Sequence, residues 1–239
     1  MGTIINTAAV VLGAFLGLIL NRRVNKALLD NIMKAVGVSV MFIGISGALT
    51  GMLKIQNGKI DSTGAMLLII SLVLGTLIGE LIKIEDRLES IGEKLKKAVK
   101  SKSDGKFVDG FVTTTLITCV GAMAIVGALE DGLTGDYSML LAKSLLDGIV
   151  AIILASTMGL GVLFSAIPLF VYQGAITLLS GVISPVLSDN LILNLSYIGS
   201  ALIFSIGVNQ VFGKKLKTGN MLPALLIPII YEIIINVLK

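Results

Sequence analysis

No charged side chain occurs before Arg22, and residues 3–20 ahead of it are apolar apart from Thr3, Asn6 and Thr7. A run of that length matches the ~20 residues a helix needs to cross the ~30 Å hydrocarbon core of a bilayer. It has no basic n-region and is longer than the apolar core of a secretory signal, so it reads as a retained transmembrane helix. Seven further apolar segments follow, at about 35–53, 64–82, 107–129, 137–164, 168–187, 191–210 and 221–238. Charged residues make up only 14% of the chain, against about 25% in soluble domains. Inside lipid each backbone N–H and C=O must be satisfied within the protein. The expected fold is therefore all-α: one polytopic membrane domain, 1–239, of about eight transmembrane helices. A seven-span arrangement with the fifth segment partly re-entrant is the alternative.

The basic residues fall into alternate loops. Arg22, Arg23, Lys26 and Lys34 follow the first span, eight more from Lys83 to Lys106 follow the third, and Lys214, Lys215 and Lys217 follow the seventh. These are fifteen of the nineteen Lys and Arg residues. Positively charged loops stay in the cytoplasm. Eight spans put all three loops on that side and both termini outside.

Two of these loops also carry amphipathic patterns. Val24, Leu28, Ile32 and Val36 recur at helical spacing, as do Ile84, Leu88, Ile91, Leu95 and Ala98. Each stretch follows an apolar helix ending in a Gly pair, Gly13/Gly17 or Gly75/Gly79, offset by 62 residues. The pattern suggests two amphipathic cytoplasmic helices and an internal repeat, with units 3–53 and 65–129. The Gly pairs read as sites of close helix packing rather than ligand sites.

Ionisable groups inside spans are costly and point to function. Lys143 and Asp147 are four residues apart, on one helix face. A helix over 138–167 would be ~45 Å long, too long for the hydrocarbon core, and 157–161, with Gly159 and Gly161, is its weak point. Lys143, Asp147, Ser156, Gly159, Gly161 and Ser165 form one candidate pathway, joined by Gln173 in the sixth span, Asn6 in the first and Asn209 at the end of the seventh. The competing reading of Lys143 and Asp147 is a neutralised pair that only locks helices together. Thr113, Thr114, Thr115 and Thr118 are weaker candidates, since Thr can bond its own helix backbone. Glu130 and Asp131 read as an outer mouth or a solvated turn. Asn57-Gly58 marks a turn, and Pro185 a stop or kink.

The runs Lys143-Ser144-x-x-Asp147-Gly148, Ala155-Ser156-x-x-Gly159-x-Gly161-Val162-x-Phe164-Ser165-Ala166-x-Pro168 and Tyr172-Gln173-Gly174 resemble the uncharacterised prokaryotic family known as domain of unknown function 554. Gly2-Thr3-Ile4-x-Asn6 and Gly127-Ala128-Leu129-x-Asp131-Gly132 are similar to it too. The resemblance covers nearly the whole chain. It implies a multipass protein of the prokaryotic inner membrane, and it brings no catalytic residue with it.

With no His and one Cys, the usual zinc sites and His-based triads are excluded. The chain has no phosphate-binding GxxxxGK[ST] motif. The expectation is a non-enzymatic membrane protein with no cofactor, metal or nucleic-acid partner. Its partners are the lipid bilayer, a small solute or ion, and other copies of itself in a homo-oligomer. A secondary transporter or ion-coupled permease for a small solute leads. An oligomeric ion channel and a non-transporting assembly or regulatory protein are the alternatives.

Overall fold

The computed structural model describes residues 1–21, 26–56, 58–100, 106–120, 122–184 and 187–238. Arg22, Arg23, Val24, Asn57 and Pro185, all singled out above, and Lys102, one of the eight basic residues after the third span, lie outside the described residues. The chain is an all-α bundle. In order it forms α1 (Gly2–Asn21), α2 (Lys26–Met52), β1 (Leu53–Gln56), β2 (Lys59–Ser62), α3 (Ala65–Ile82), α4 (Ile84–Ala98), α5 (Lys106–Cys119) and α6 (Ala122–Leu133). Next come α7 (Ser138–Met158), α8 (Gly161–Phe164), α9 (Ala166–Leu178), α10 (Ser180–Ile183), α11 (Asp189–Phe212), a 3-10 helix (Thr218–Leu225) and α12 (Leu226–Leu238). The strands pair antiparallel, Leu53 opposite Ser62, around Gly58 at φ 72. Sequence reading found the turn but not the hairpin.

Among the described residues six helical segments are long and apolar enough to cross a membrane, or seven if α5 and α6, which meet at 60°, form one bent span. Besides this bent fourth segment, the fifth and the eighth of the eight expected segments differ in form. The fifth is shorter than the pattern suggests. Its break is present at Gly159, whose φ of 83 lies where glycine is favoured, but it separates α7 from the span Gly161–Leu178 rather than interrupting one span. With 21 residues, α7 is ~32 Å long and fits the hydrocarbon core without strong tilt. The eighth segment begins as a 3-10 helix, with Pro223 inside it, and ends as the 13-residue α12.

The chain forms two compact units. The first comprises Met1–Val36 and Leu88–Val186. In it α1 and α7 run parallel, Gly2 beside Leu140 at one end and Gly17 beside Ala155 at the other. A Cβ on Gly13 would strike the Gly148 carbonyl oxygen, and one on Gly17 that of Ile152. The helices therefore touch backbone to backbone, as small residues permit in lipid. Val10, Ala14, Ala151, Leu154, Ala155 and Leu169 form the dry core beside this contact. The bent α5–α6 pair runs parallel to α8 and α9: Gly161 meets the Phe107 carbonyl at one end, and Gly132 that of Thr177 at the other. The amphipathic α4 seats Gly92 on Val108 and Phe111.

The second unit comprises Gly37–Arg87 and Leu187–Lys239. Here the pairings are antiparallel. Gly37, Gly44, Gly47 and Gly51 of α2 meet Gln210, Phe204, Ser200 and Tyr197 of α11 in reverse order. On α3, Gly75 faces the Ala224 backbone nitrogen and Gly79 the Asn220 carbonyl oxygen. Thus Gly13/Gly17 and Gly75/Gly79 both serve backbone contacts.

Adding a methyl at Gly17 forces packed backbones apart, and overpacking of this kind costs about 1–3 kcal/mol. Gly174, with nothing within 4 Å of a built Cβ, is the control. Thermal unfolding of the detergent-purified protein should show Gly17→Ala melting below wild type and Gly174→Ala melting at or above it.

Candidate functional site

A buried stripe on α1, Thr3, Asn6, Val10, Gly13 and Gly17, follows the three- and four-residue steps of one helix face. Its apolar part lets α7 approach, and its polar part meets what α7 carries. Asp147 is the tenth of the 21 residues of α7, so it sits at mid-span. Lys143, one turn earlier, places Nζ 2.5 Å from Asp147 Oδ2. Asn6 Nδ2 donates to the same Oδ2 at 3.0 Å and to Gln173 Oε1 of α9 at 3.1 Å. Asn6 and Gln173 are 0% exposed, Asp147 5% and Lys143 6%. Four polar side chains from three helices thus form one closed cluster. Two of its atoms, Asn6 Oδ1 and Gln173 Nε2, are buried with no hydrogen-bond partner among the described residues.

The bent fourth span packs in the same unit. Cys119, the last residue of α5, lies against its apolar core, and α6 continues at 60° to α5. Among the described residues the buried hydroxyls of Thr114 and Thr115 also have no partner, while Thr118 donates to the Thr114 carbonyl. The break expected at Gly159 is present, and the 60° bend between α5 and α6 is a second discontinuity that sequence reading did not locate.

The other residues proposed from sequence are not drawn into this cluster. Ser156 is nine residues beyond Asp147 on the same helix, or ~14 Å away, and its hydroxyl donates to the Ile153 carbonyl at 2.7 Å. Ser165 donates to the Val162 carbonyl at 2.7 Å. Gly159 makes the turn, and Gly161 packs on Phe107. Asn209 belongs to the second unit, where it ties down the basic loop. Its Nδ2 donates to the Leu216 carbonyl at 2.7 Å, and its Oδ1 accepts from the Lys215 and Leu216 nitrogens at 2.9 Å.

Sequence reading also missed partners. Asp131 is not a solvated turn: it is buried and accepts the Gly2 N–H at 2.9 Å. Thr3 and Thr177 share a hydrogen bond of 3.2 Å, one turn from the Asn6–Gln173 contact. In the second unit the buried Glu85 accepts the Gly219 N–H at 3.0 Å and pairs with Lys214 at 2.7 Å, while its own N–H donates to Asn220 Oδ1 at 2.7 Å. Lys217 lies 3.1 Å from Glu80, whose carboxylate holds that ammonium above its ordinary range. Two acids facing three Lys residues across a loop were the available signal for this clasp. Among the described residues no three His, Cys, Asp or Glu side chains gather as a metal site requires.

The family model described as "Protein of unknown function (DUF554)" matches residues 1–233. The chain is 35% identical over 235 residues to the "Uncharacterized membrane protein YdfK" of Bacillus subtilis (strain 168), covering 98% of this chain and 96% of that protein. It is 28% identical over 231 residues to the "Uncharacterized protein YqgA" of Escherichia coli (strain K12), covering 95% and 94%. No solved structure matches.

Removing one member of a buried ion pair leaves the other charge stranded, which costs about 3–5 kcal/mol. Lys143→Met and Asp147→Asn should each lower the melting temperature substantially, and the double variant should recover most of the loss. A double variant that melts as low as the sum of the singles would show that the two charges do not compensate each other.

Proposed function

The chain belongs to the DUF554 family, and we propose that it is a secondary transporter or ion-coupled permease for a small solute, working in the prokaryotic cytoplasmic membrane. The observation that carries this reading is the mid-span cluster: a buried Lys143–Asp147 pair whose amide neighbours keep an unused acceptor and donor. A carboxylate at the centre of a span costs ~2.5–3.5 kcal/mol on insertion scales. A fully satisfied network rigidifies a core, whereas Asn6 Oδ1 and Gln173 Nε2 have no partner among the described residues. The bend after Cys119 adds the discontinuous helix with which transporters build sites at membrane depth.

The helix directions support eight crossings. Parallel neighbours such as α1 and α7 need an odd number of crossings between them, which α2, α3 and a bent α5–α6 span supply. The last segment, with eight 3-10 residues at ~2.0 Å each and thirteen α-helical ones at ~1.5 Å each, extends ~35 Å. With the basic loops inside, both termini lie outside. In the arrangement seen, the cluster is closed and Lys143 neutralises Asp147. Release of that pairing, by a cation or proton taking the place of the ammonium at Asp147, is the event that would bias a second arrangement of the helices.

A second reading, a membrane assembly protein with a purely structural lock, is favoured by the burial of both partners of the Lys143–Asp147 pair. Gradient-driven uptake into proteoliposomes separates the two. A transporter should show saturable accumulation of some solute, abolished in Asp147→Asn preparations that still bind and fold in detergent. Single-channel currents would instead indicate a channel, and the absence of flux across a broad solute panel would leave the lock.

A further inference from the structure

The hydrogen-bond polarity of the mid-span cluster can be derived from one charge. A carboxylate only accepts, so Asn6 must present Nδ2 to Asp147 Oδ2, as it does at 3.0 Å. The second proton of Nδ2 goes to the neighbouring amide, so Gln173 must present Oε1, as it does at 3.1 Å. Flipping Asn6 would set its oxygen against the Asp147 carboxylate, and flipping Gln173 would set its nitrogen against Asn6 Nδ2. What remains is an acceptor, Asn6 Oδ1, and a donor, Gln173 Nε2, each within the amide group that makes the shared hydrogen bond, both on residues 0% exposed and both unpartnered among the described residues.

We infer that these two atoms are a recognition site for an uncharged polar solute that offers a donor and an acceptor side by side, as a carboxamide does, and that Asp147 sets this preference through Asn6. The inference rests on the transport reading for its biological use but not for its chemistry. A bare cation would find in these two amides one free oxygen, while the Lys143 ammonium already occupies Asp147; hard cations such as calcium take six or more oxygens. A bare anion would find one free amide donor, with the Asp147 carboxylate close by. A neutral group that gives one hydrogen bond and takes another satisfies both atoms and buries no charge.

The test uses three near-isosteres on the full chain in detergent, without a gradient: radiolabelled acetamide (donor and acceptor), acetate (acceptors only) and acetamidinium (donors only), measured by equilibrium dialysis. Acetamide should bind at least about tenfold more tightly than either ion, because each ion leaves one buried polar atom unpaired. In Gln173→Glu the free donor becomes an acceptor, and the preference should move from acetamide to acetamidinium. Equal or tighter binding of acetate or acetamidinium by the wild type overturns the inference. So does the absence of binding by all three, which would leave the two atoms bridged by water alone. Acetamide binding without uptake of any solute into proteoliposomes would remove the transport reading and keep the site. Gradient-driven uptake of an ion, with no preference for acetamide, would do the reverse.

Discussion

A carboxylate halfway through a transmembrane helix has to be neutralised on the spot, because lipid offers no other partner. In the first unit that requirement organises three helices. Lys143 supplies the charge from the same face of α7, Asn6 supplies a hydrogen bond from α1, and Asn6 in turn holds Gln173 of α9. The amide reaches Asp147 because α1 and α7 lie in backbone contact along Gly13 and Gly17. Close packing and the polar cluster are therefore one arrangement. Side chains on those glycines would separate the helices and strand the charge.

Glycine plays the same part in the second unit, with the helices running oppositely. Gly75 and Gly79 receive the backbone of the 3-10 helix, where Pro223 has no N–H to give. In a 3-10 helix that N–H would have gone to the Asn220 carbonyl, and this is the oxygen that faces Gly79. The side chain of the same Asn220 accepts from Glu85, so the entry to the last segment is tied to the corner between α3 and α4. Asn209 serves that loop as well.

Much of the bundle was legible in the chain because apolar length and loop charge are local properties. The first three spans and α11 fall close to the segments read from hydropathy. The hairpin after α2 was not, since its strands are only four residues each and lie between two long apolar runs. The break at Gly159 was legible, because Gly159 and Gly161 are conspicuous in sequence, while the 60° bend between α5 and α6 was not. Of the nine residues proposed for the pathway, Lys143, Asp147, Asn6 and Gln173 come together. Their shared trait is an ammonium, carboxylate or carboxamide inside an apolar helix. Ser156 and Ser165 could satisfy themselves on their own helix turns, and such residues carry no long-range information.

By itself the sequence determined a membrane-spanning helical chain with its positive charge in alternate loops, because hydrophobic length and charge placement act segment by segment against the bilayer. It also determined that Lys143 and Asp147 share a helix face, since one turn of helix requires it. Only the tertiary structure decided that Asn6, 141 residues from Asp147, completes the pair and leaves Asn6 Oδ1 and Gln173 Nε2 without a partner among the described residues. Helix-to-helix register in lipid depends on where backbones can touch, and that is a property of two surfaces at once.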